Sequence, residues 1–543
     1  MSYVITQNCC NDATCVAVCP VNCIHPTPDE RGYRDAEMLH IDPATCIDCG
    51  ACADVCPVDA IVPDDSLGPD RQRYRELNAE YFQRNPSAPP DAPHRQPLPL
   101  AVATAAPAPP ALRVAIVGSG PSAFYAAEEL LARRDIAAEV TMLERLPVAG
   151  GLVRFGVAPD HWRTKTVDRV FRRTARRPGF ALHLGVEVGR DVSLAELLDQ
   201  HHAVLHASGA ASDRRLGIPG EELPGSHSAR EFVAWYNGHP EHAGEHFDLG
   251  GTRAVVIGTG NVALDVARIL LTPPERLAAT DIADHALAAL TGSRVREVAV
   301  LGRRGAEHAA CTTPELLGLN ALPGIDVLVD GAVQAGPGAP MKQRVLAEYA
   351  RHPPTPGNKR IMLRFGTTPE RILGASRAEA LVVRDTVTGE PETLACGLVI
   401  RAAGYRGLPI PGLPFDDQRG TVANTGGRVC EPVTGQPIPG QYVAGWIKRG
   451  PTGVIGTNRH CAAETVAALV ADHRAGLLGE PDGTPADFAD LLRARCPGAL
   501  TGADWHEIDR YERLRGAETG RPRVKIVDAA QAALVAAAHR PRG

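Results

Sequence analysis

Residues 114–131 read VAIVGSGPSAFYAAEELL, and this stretch decides the fold. Its apolar run stops at Gly118-Ser119-Gly120 and passes directly into an alanine-rich helical pattern, the layout of a strand, phosphate-cradling turn and helix in a dinucleotide-binding unit. Gly118 permits the tight bend. Gly120 lets backbone N–H groups approach a pyrophosphate, and Ala123 keeps the helix close to the strand with its N-terminus toward the anion. One G-x-G-x-x-A is weak evidence alone. It gains weight from a second apolar run, residues 140–143, that ends in Glu144 about twenty residues on, where a ribose hydroxyl needs an acceptor.

Toward the C-terminus the design recurs. Residues 254–270 read AVVIGTGNVALDVARIL, with Thr259, Gly260, Asn261 and Val262 in the turn and Asp265 and Arg268 on the helix that follows. Two such units in one chain point to two dinucleotides with electrons passing between them. The next apolar run, residues 298–301, leads through Gly302 not to an acid but to Arg303-Arg304. Guanidinium forks suit a 2′-phosphate that an acid would repel, which favours NADP over NAD; the plainer reading is a solvated arginine pair on a loop.

Toward the N-terminus the chemistry changes. Nine of the fourteen cysteines lie in the first 56 residues. The run Cys46-x2-Cys49-x2-Cys52-x3-Cys56-Pro57 has the bacterial ferredoxin spacing, in which three cysteines hold one cluster and the fourth reaches across to the other. Cys9-Cys10-x4-Cys15-x3-Cys19-Pro20 is a degenerate copy. The crossed logic assigns Cys19, Cys46, Cys49 and Cys52 to a [4Fe–4S] cluster and leaves Cys9, Cys15 and Cys56 for a second one, similar to the three-iron site of seven-iron ferredoxins. Cys10 fits neither pattern: it is either a fourth ligand, giving two four-iron clusters, or a bystander. Adjacent cysteines rarely serve one small cluster, which favours Cys9 as ligand and a [3Fe–4S] site over [4Fe–4S]. Cys23 reads as a buried free thiol. Zinc is the alternative for such pairs, but seven spaced cysteines with two Cys-Pro signatures argue against it.

A net charge of −6 offers no basic footprint for nucleic acid. No apolar run approaches the roughly 18 to 20 residues of a membrane span, and MSYVITQNCC shows no export signal. The thiol-rich module suits a reducing compartment, so a cytoplasmic protein is expected.

With the motifs LPVAGGLVRFGVAPDH (residues 146–161), the two glycine turns and IKRGPTGVIGTNRH (residues 447–460) in place, the chain resembles the adrenodoxin-reductase-like family of ferredoxin–NADP reductases, in particular actinobacterial members with a fused N-terminal ferredoxin. The resemblance implies FAD in the first fold, with Gly118, Gly120, Ser122, Glu144, Leu152 and Val188 at the cofactor and Trp446, Gly453, Val454 and Ile455 beside its ring. It also implies that Arg214, Glu315 and Gly453 lie near the NADP(H), and that His161 and Glu315 are the polar residues next to the reacting rings. The residues alone carry only the glycine turn and Glu144.

The expected architecture is an α+β ferredoxin-like module followed by α/β, with two Rossmann-like nucleotide-binding domains, the FAD domain discontinuous and the NADP domain inserted. The boundaries are 1–66 for the two-cluster ferredoxin, 67–111 for a helical segment and Pro-rich linker, 112–212 and 398–475 for the FAD domain, 213–397 for the NADP domain, and 476–543 for a helical extension. The function implied is a ferredoxin–NADP(+) reductase: hydride transfer between NADPH and FAD, and single electrons between FAD and its own or a separate ferredoxin. Two alternatives share many of these features: an electron-input subunit like the small subunit of glutamate synthase, and an iron–sulfur redox sensor. A disulfide reductase would need a close dithiol in the flavin half, whereas Cys311, Cys396, Cys430 and Cys461 are isolated.

Overall fold

A computed structural model describes residues 2–86 and 111–539; the Pro-rich spacer falls mostly outside the described residues. Residues 2–63 fold as a two-fold repeat. Strand Tyr3–Ile5 pairs antiparallel with Ile61–Pro63, and Ile24–His25 with His40–Ile41. Two short helices, Thr14–Val18 and Ala51–Val55, pack together and end on Cys19 and Cys56 in matching extended conformations. The helix Arg73–Arg84 lies across both strand pairs, where the amide of buried Asn78 bridges Ile5 and Ile41 backbone groups.

Two larger sheets follow. The eight-stranded sheet has a parallel centre in the order Pro437–Val443, Ala203–His206, Leu112–Val117, Ala138–Glu144 and Phe180–Leu184. Near-continuous apolar runs such as LRVAIV form such strands because helices cover both faces and both sets of side chains are buried. The six-stranded sheet is wholly parallel, ordered Ser226–Ser228, Leu398–Arg401, Arg253–Ile257, Glu297–Leu301, Lys359–Arg364 and Ile325–Asp330. The chain passes between them at Ser212–Asp213 and returns at Tyr405–Arg406, and these two segments pair antiparallel as a narrow ribbon.

One boundary needs correction. Leu398–Arg401, expected to open the second part of the FAD domain at residue 398, is an interior strand of the six-stranded sheet, between Ser226–Ser228 and Arg253–Ile257. A fully buried LVIR run looks the same in either sheet; its membership is set by long-range pairing, to which periodicity is blind. The C-terminal segment is also more than helical. Leu500–Thr501 adds an edge strand beside Phe180–Leu184, and helix Gly502–Glu518 packs on that edge. No helix among the described residues is long and apolar enough to cross a membrane.

Candidate active site

The first glycine turn is built by close approach. Gly118 has φ of 101°, and a Cβ there would lie 2.7 Å from the Ala207 carbonyl oxygen of the adjoining strand end. Gly120 caps helix Pro121–Leu131 in extended conformation. The Gly150-Gly151 turn folds onto it: Gly150 N–H donates to Ser119 O at 3.1 Å, and a Cβ on Gly151 would sit 2.8 Å from Gly120 Cα. Glu144, ending the neighbouring strand, accepts the Ser119 amide (3.1 Å) and hydroxyl (2.7 Å). The predicted acid thus stands at the predicted turn. Leu152 opens the next short helix, and Val188 packs beneath the sheet with Val117.

Ser122 ties this turn to the C-terminal glycine segment, its hydroxyl donating to Asn458 Oδ1 at 2.9 Å. Asn458 in turn donates to the Ile455 (3.0 Å) and Val454 (3.3 Å) carbonyls. Gly453 has φ of 76°. Trp446 is partly exposed, its indole N–H donating to Thr452 O at 3.1 Å and its ring 5.5 Å from that of Tyr405. Arg449 Nη2 bonds Asn458 Oδ1, yet its Nε and Nη1 are buried without a hydrogen-bond partner among the described residues. Orphaned buried guanidinium donors are costly unless an acceptor meets them, and a flavin ring or pyrophosphate supplies acceptors.

An open cleft of about 1180 Å³ runs between the sheets, lined by Trp446, Gly453 and Val454 on one side and Gly260, Asn261 and Val262 on the other. The second turn repeats the first: a Cβ on Gly258 would meet Ala402 O at 2.4 Å, a contact no side chain tolerates. Asn261 caps inward, accepting Thr312 N–H at 2.8 Å, and Thr259 accepts Ala310 N–H at 3.3 Å. Arg303 and Arg304 are exposed after strand Glu297–Leu301, and neither has a carboxylate partner among the described residues. Arg214 is exposed at the crossing ribbon, its amide bonded to Gly404 O. These three arginines do not line the cleft walls.

His161 and Glu315, remote in sequence, come together: Nδ1 lies 3.8 Å from Oε1. Around them stand residues to which the sequence reading gave no role. Arg268, 3% exposed, bonds Asp160 through Nε (2.6 Å) and Nη2 (3.1 Å), bonds Asp265 (2.6 Å), and lies 3.7 Å from Glu315. Asp265 is 4.0 Å from His161 Nδ1. Burial, only partly offset by Arg268, pushes Asp265 up to about 6, whereas at Asp160 the Arg268 and His161 charges outweigh burial and hold the carboxyl well below its usual range. Gln7 of the N-terminal module completes the group, donating to Glu315 Oε2 at 3.1 Å and lying 3.4 Å from His161 Nε2.

The cysteines separate into the predicted sets. Cys19, Cys46, Cys49 and Cys52 line one small cavity together with Cys23; Cys9, Cys15 and Cys56 line another with Cys10 and Asp12. Cys23 is buried, its Sγ 3.4 Å from that of Cys19. Burial pushes the Cys9 and Cys52 thiols up to about 12, so as thiolates they need a cationic centre in the cavity, which an iron–sulfur cluster provides. The fold supplies a register that pattern-matching on cysteine alone misses. Left-handed residues recur in pairs 37 positions apart (Asn11 and Asp48, Ala13 and Gly50, Asn22 and Asp59). The same offset matches Cys9 with Cys46, Cys15 with Cys52 and Cys19 with Cys56, and it sets Asp12, not Cys10, opposite Cys49.

Comparison with known proteins agrees with this layout. Residues 39–62 match the 4Fe-4S binding domain, and residues 112–301 the pyridine nucleotide-disulphide oxidoreductase domain. The chain is 49% identical over 564 aligned residues to a probable ferredoxin/ferredoxin–NADP reductase of Mycobacterium tuberculosis, covering 100% of this chain and 96% of that one. It is 40% identical to the mitochondrial NADPH:adrenodoxin oxidoreductase of Arabidopsis thaliana, over 77% of this chain and 93% of the relative. Among solved structures, Mycobacterium tuberculosis FprA in complex with NADPH superposes with a TM-score of 0.74 at 45% identity, covering 79% of this chain and all of that one.

Proposed function

Because the chain belongs to the ferredoxin/ferredoxin–NADP reductase family, we propose that it oxidises NADPH in the cleft and delivers the electrons, by way of FAD, to the iron–sulfur module at its own N-terminus. One observation carries this reading: the second glycine turn and the C-terminal glycine segment tied to the first turn face each other across a single cleft, with the cysteine-lined module seated beside it. When bound, FAD accepts a hydride from NADPH and releases electrons singly, as iron–sulfur clusters require.

The chain's residues divide the work. Gly118, Gly120, Ser122, Glu144, Leu152 and Val188 hold the FAD, and Trp446, Gly453, Val454 and Ile455 flank its ring, with Arg449 donating to its acceptors. Thr259, Gly260, Asn261 and Val262 cradle the NADP(H) pyrophosphate, Arg303 and Arg304 select the 2′-phosphate, and Arg214, Gly453 and Glu315 border the nucleotide. His161 and Glu315 orient the nicotinamide and manage a proton, held in place by Arg268 and Asp265. The FAD domain runs over residues 112–212 and resumes after the returning ribbon strand, with the NADP domain between. Cys19, Cys46, Cys49 and Cys52 hold a [4Fe–4S] cluster. Cys9, Cys15 and Cys56 hold the second, which we read as [3Fe–4S] because the position matching Cys49 carries Asp12. Its thiol-rich centres suit the cytoplasm.

Anaerobic stopped-flow mixing with NADPH or NADH tests the function. The expected result is flavin bleaching selective for NADPH, followed by loss of cluster absorbance; bleaching with clusters left oxidised would refute the internal delivery.

A further inference from the structure

The two cysteine sites are not equivalent in their surroundings, and the difference sets an order. A second set of contacts, Arg73–Glu348, Glu80–Arg344 and Glu37–Lys342, holds the N-terminal module and its helix on the NADP side, whereas its contacts with the flavin side gather around Cys9, Cys15 and Cys56. The Gly456 amide, directly after the Gly453–Ile455 segment, donates to Cys10 O at 2.6 Å. A Cβ at Gly456 would lie 2.2 Å from the Asn11 carbonyl carbon and the Asp12 nitrogen, so backbone meets backbone there. Thr166 donates its hydroxyl to Pro57 O at 2.8 Å, next to Cys56. Arg459 bonds Thr14 Oγ1 at 2.9 Å and lies 3.7 Å from the Asp12 carboxylate. Cys10, Val58 and Ala60 are buried in the same apolar cluster as strand Leu112–Val117, and Cys9 and Cys56 pack against it. Gln7, two residues before Cys9, reaches the His161–Glu315 pair. By contrast, Cys49 is exposed and Ile47 is 58% exposed.

We infer that the Cys9–Cys15–Cys56 site is the inner electron station, seated against the flavin segment by the loop of residues 7–14, and that the Cys19–Cys46–Cys49–Cys52 site is the outer station. This deepens the proposed function and rests on it. Each electron given up by the NADPH-reduced flavin reduces the inner site by one; its passage outward reoxidises the inner site and reduces the outer by one, and no bond or proton moves between the two sites.

The test uses the oxidised holoprotein mixed anaerobically with NADPH and freeze-quenched for electron paramagnetic resonance, the signals assigned with a Cys15→Ser variant. The inner-site signal is expected to change first; an outer-site signal that changes before it overturns the inference. Arg459→Glu, a substitution at an exposed position, sets like charge against Asp12. It should leave flavin bleaching by NADPH unchanged, slow the first cluster reduction about tenfold and raise hydrogen exchange at the Gly456 amide about tenfold, the worth of one lost charge-assisted hydrogen bond. Unchanged exchange together with an unchanged cluster rate refutes the seat. A wild-type flavin that NADPH fails to bleach would sink the proposed function instead, and the exchange result, which needs no turnover, would then decide the seat.

Discussion

Replacing Asp265 by Asn should make this protein more stable and a poorer reductase. The asparagine keeps an oxygen for Arg268, which Asp265 accepts from at 2.6 Å, and removes a charge that the site holds at a cost. Burial has pushed Asp265 from 3.8 to about 6. At about 1.4 kcal/mol per pH unit this amounts to about 3 kcal/mol, a ceiling because 15% of the side chain remains exposed. The sign follows from linkage. The folded state binds this proton more tightly than the unfolded state, so the stability associated with the protonated acid is present below about pH 4 and lost as pH rises to about 6. Asn mimics the protonated acid at every pH. Its advantage should therefore be about half developed at pH 5 and level above pH 7. Chemical denaturation of the holoprotein at pH 5, 6, 7 and 8 reads this directly, and stopped-flow reduction by NADPH reads the cost to hydride transfer, since the charge helps to hold His161 and Arg268. An Asn variant less stable than the parent at pH 7, or with a midpoint difference that ignores pH, would refute the reasoning.

Glu512, fully buried, accepts from Arg154 at 2.9 Å, from Arg523 at 3.0 Å and from the Ile526 amide at 2.8 Å. Glu512→Ala strands the Arg154 guanidinium, while Arg523 keeps Asp509 and Asp168, and the loss of about 3 kcal/mol should appear as a lower denaturation midpoint with the C-terminal segment more open to proteolysis. Arg303→Ala and Arg304→Ala should each raise KM for NADPH about tenfold, the worth of one charge-assisted hydrogen bond, and leave KM for NADH in place; equal effects on both nucleotides would remove the 2′-phosphate role. Cys10→Ser should retain the iron content of the parent, whereas Asp12→Cys should raise it from about seven to about eight atoms per chain, measured by iron analysis and the disappearance of the three-iron resonance signal.

The parts legible in the sequence are those whose physics is local. A glycine turn, the acid closing the next strand and a Cys-x2-Cys run each depend on neighbours within about thirty residues, and all stand where their spacing puts them. What was not legible depends on meetings across the chain. Leu398–Arg401 lies in the six-stranded sheet and not in the FAD sheet, a placement hidden from periodicity because a buried strand carries no mark of its partner. Asp265 and Arg268 were visible on one helix face, three residues apart, but their purpose exists only once Asp160, His161 and Glu315 arrive from other segments. Gln7 gave no signal at all; a polar residue near the N-terminus acquires meaning only from the docking of the whole module. Asp12 lies between these cases. Its place opposite Cys49 is legible in the sequence once the two halves of the module are laid over each other at a constant offset. A repeat preserves backbone geometry before it preserves side-chain chemistry, so the left-handed residues keep the register where Asp12 stands opposite Cys49. The divergence of that one position, on the half that faces the reductase, makes the two halves of a near-symmetric module chemically distinct stations along one path.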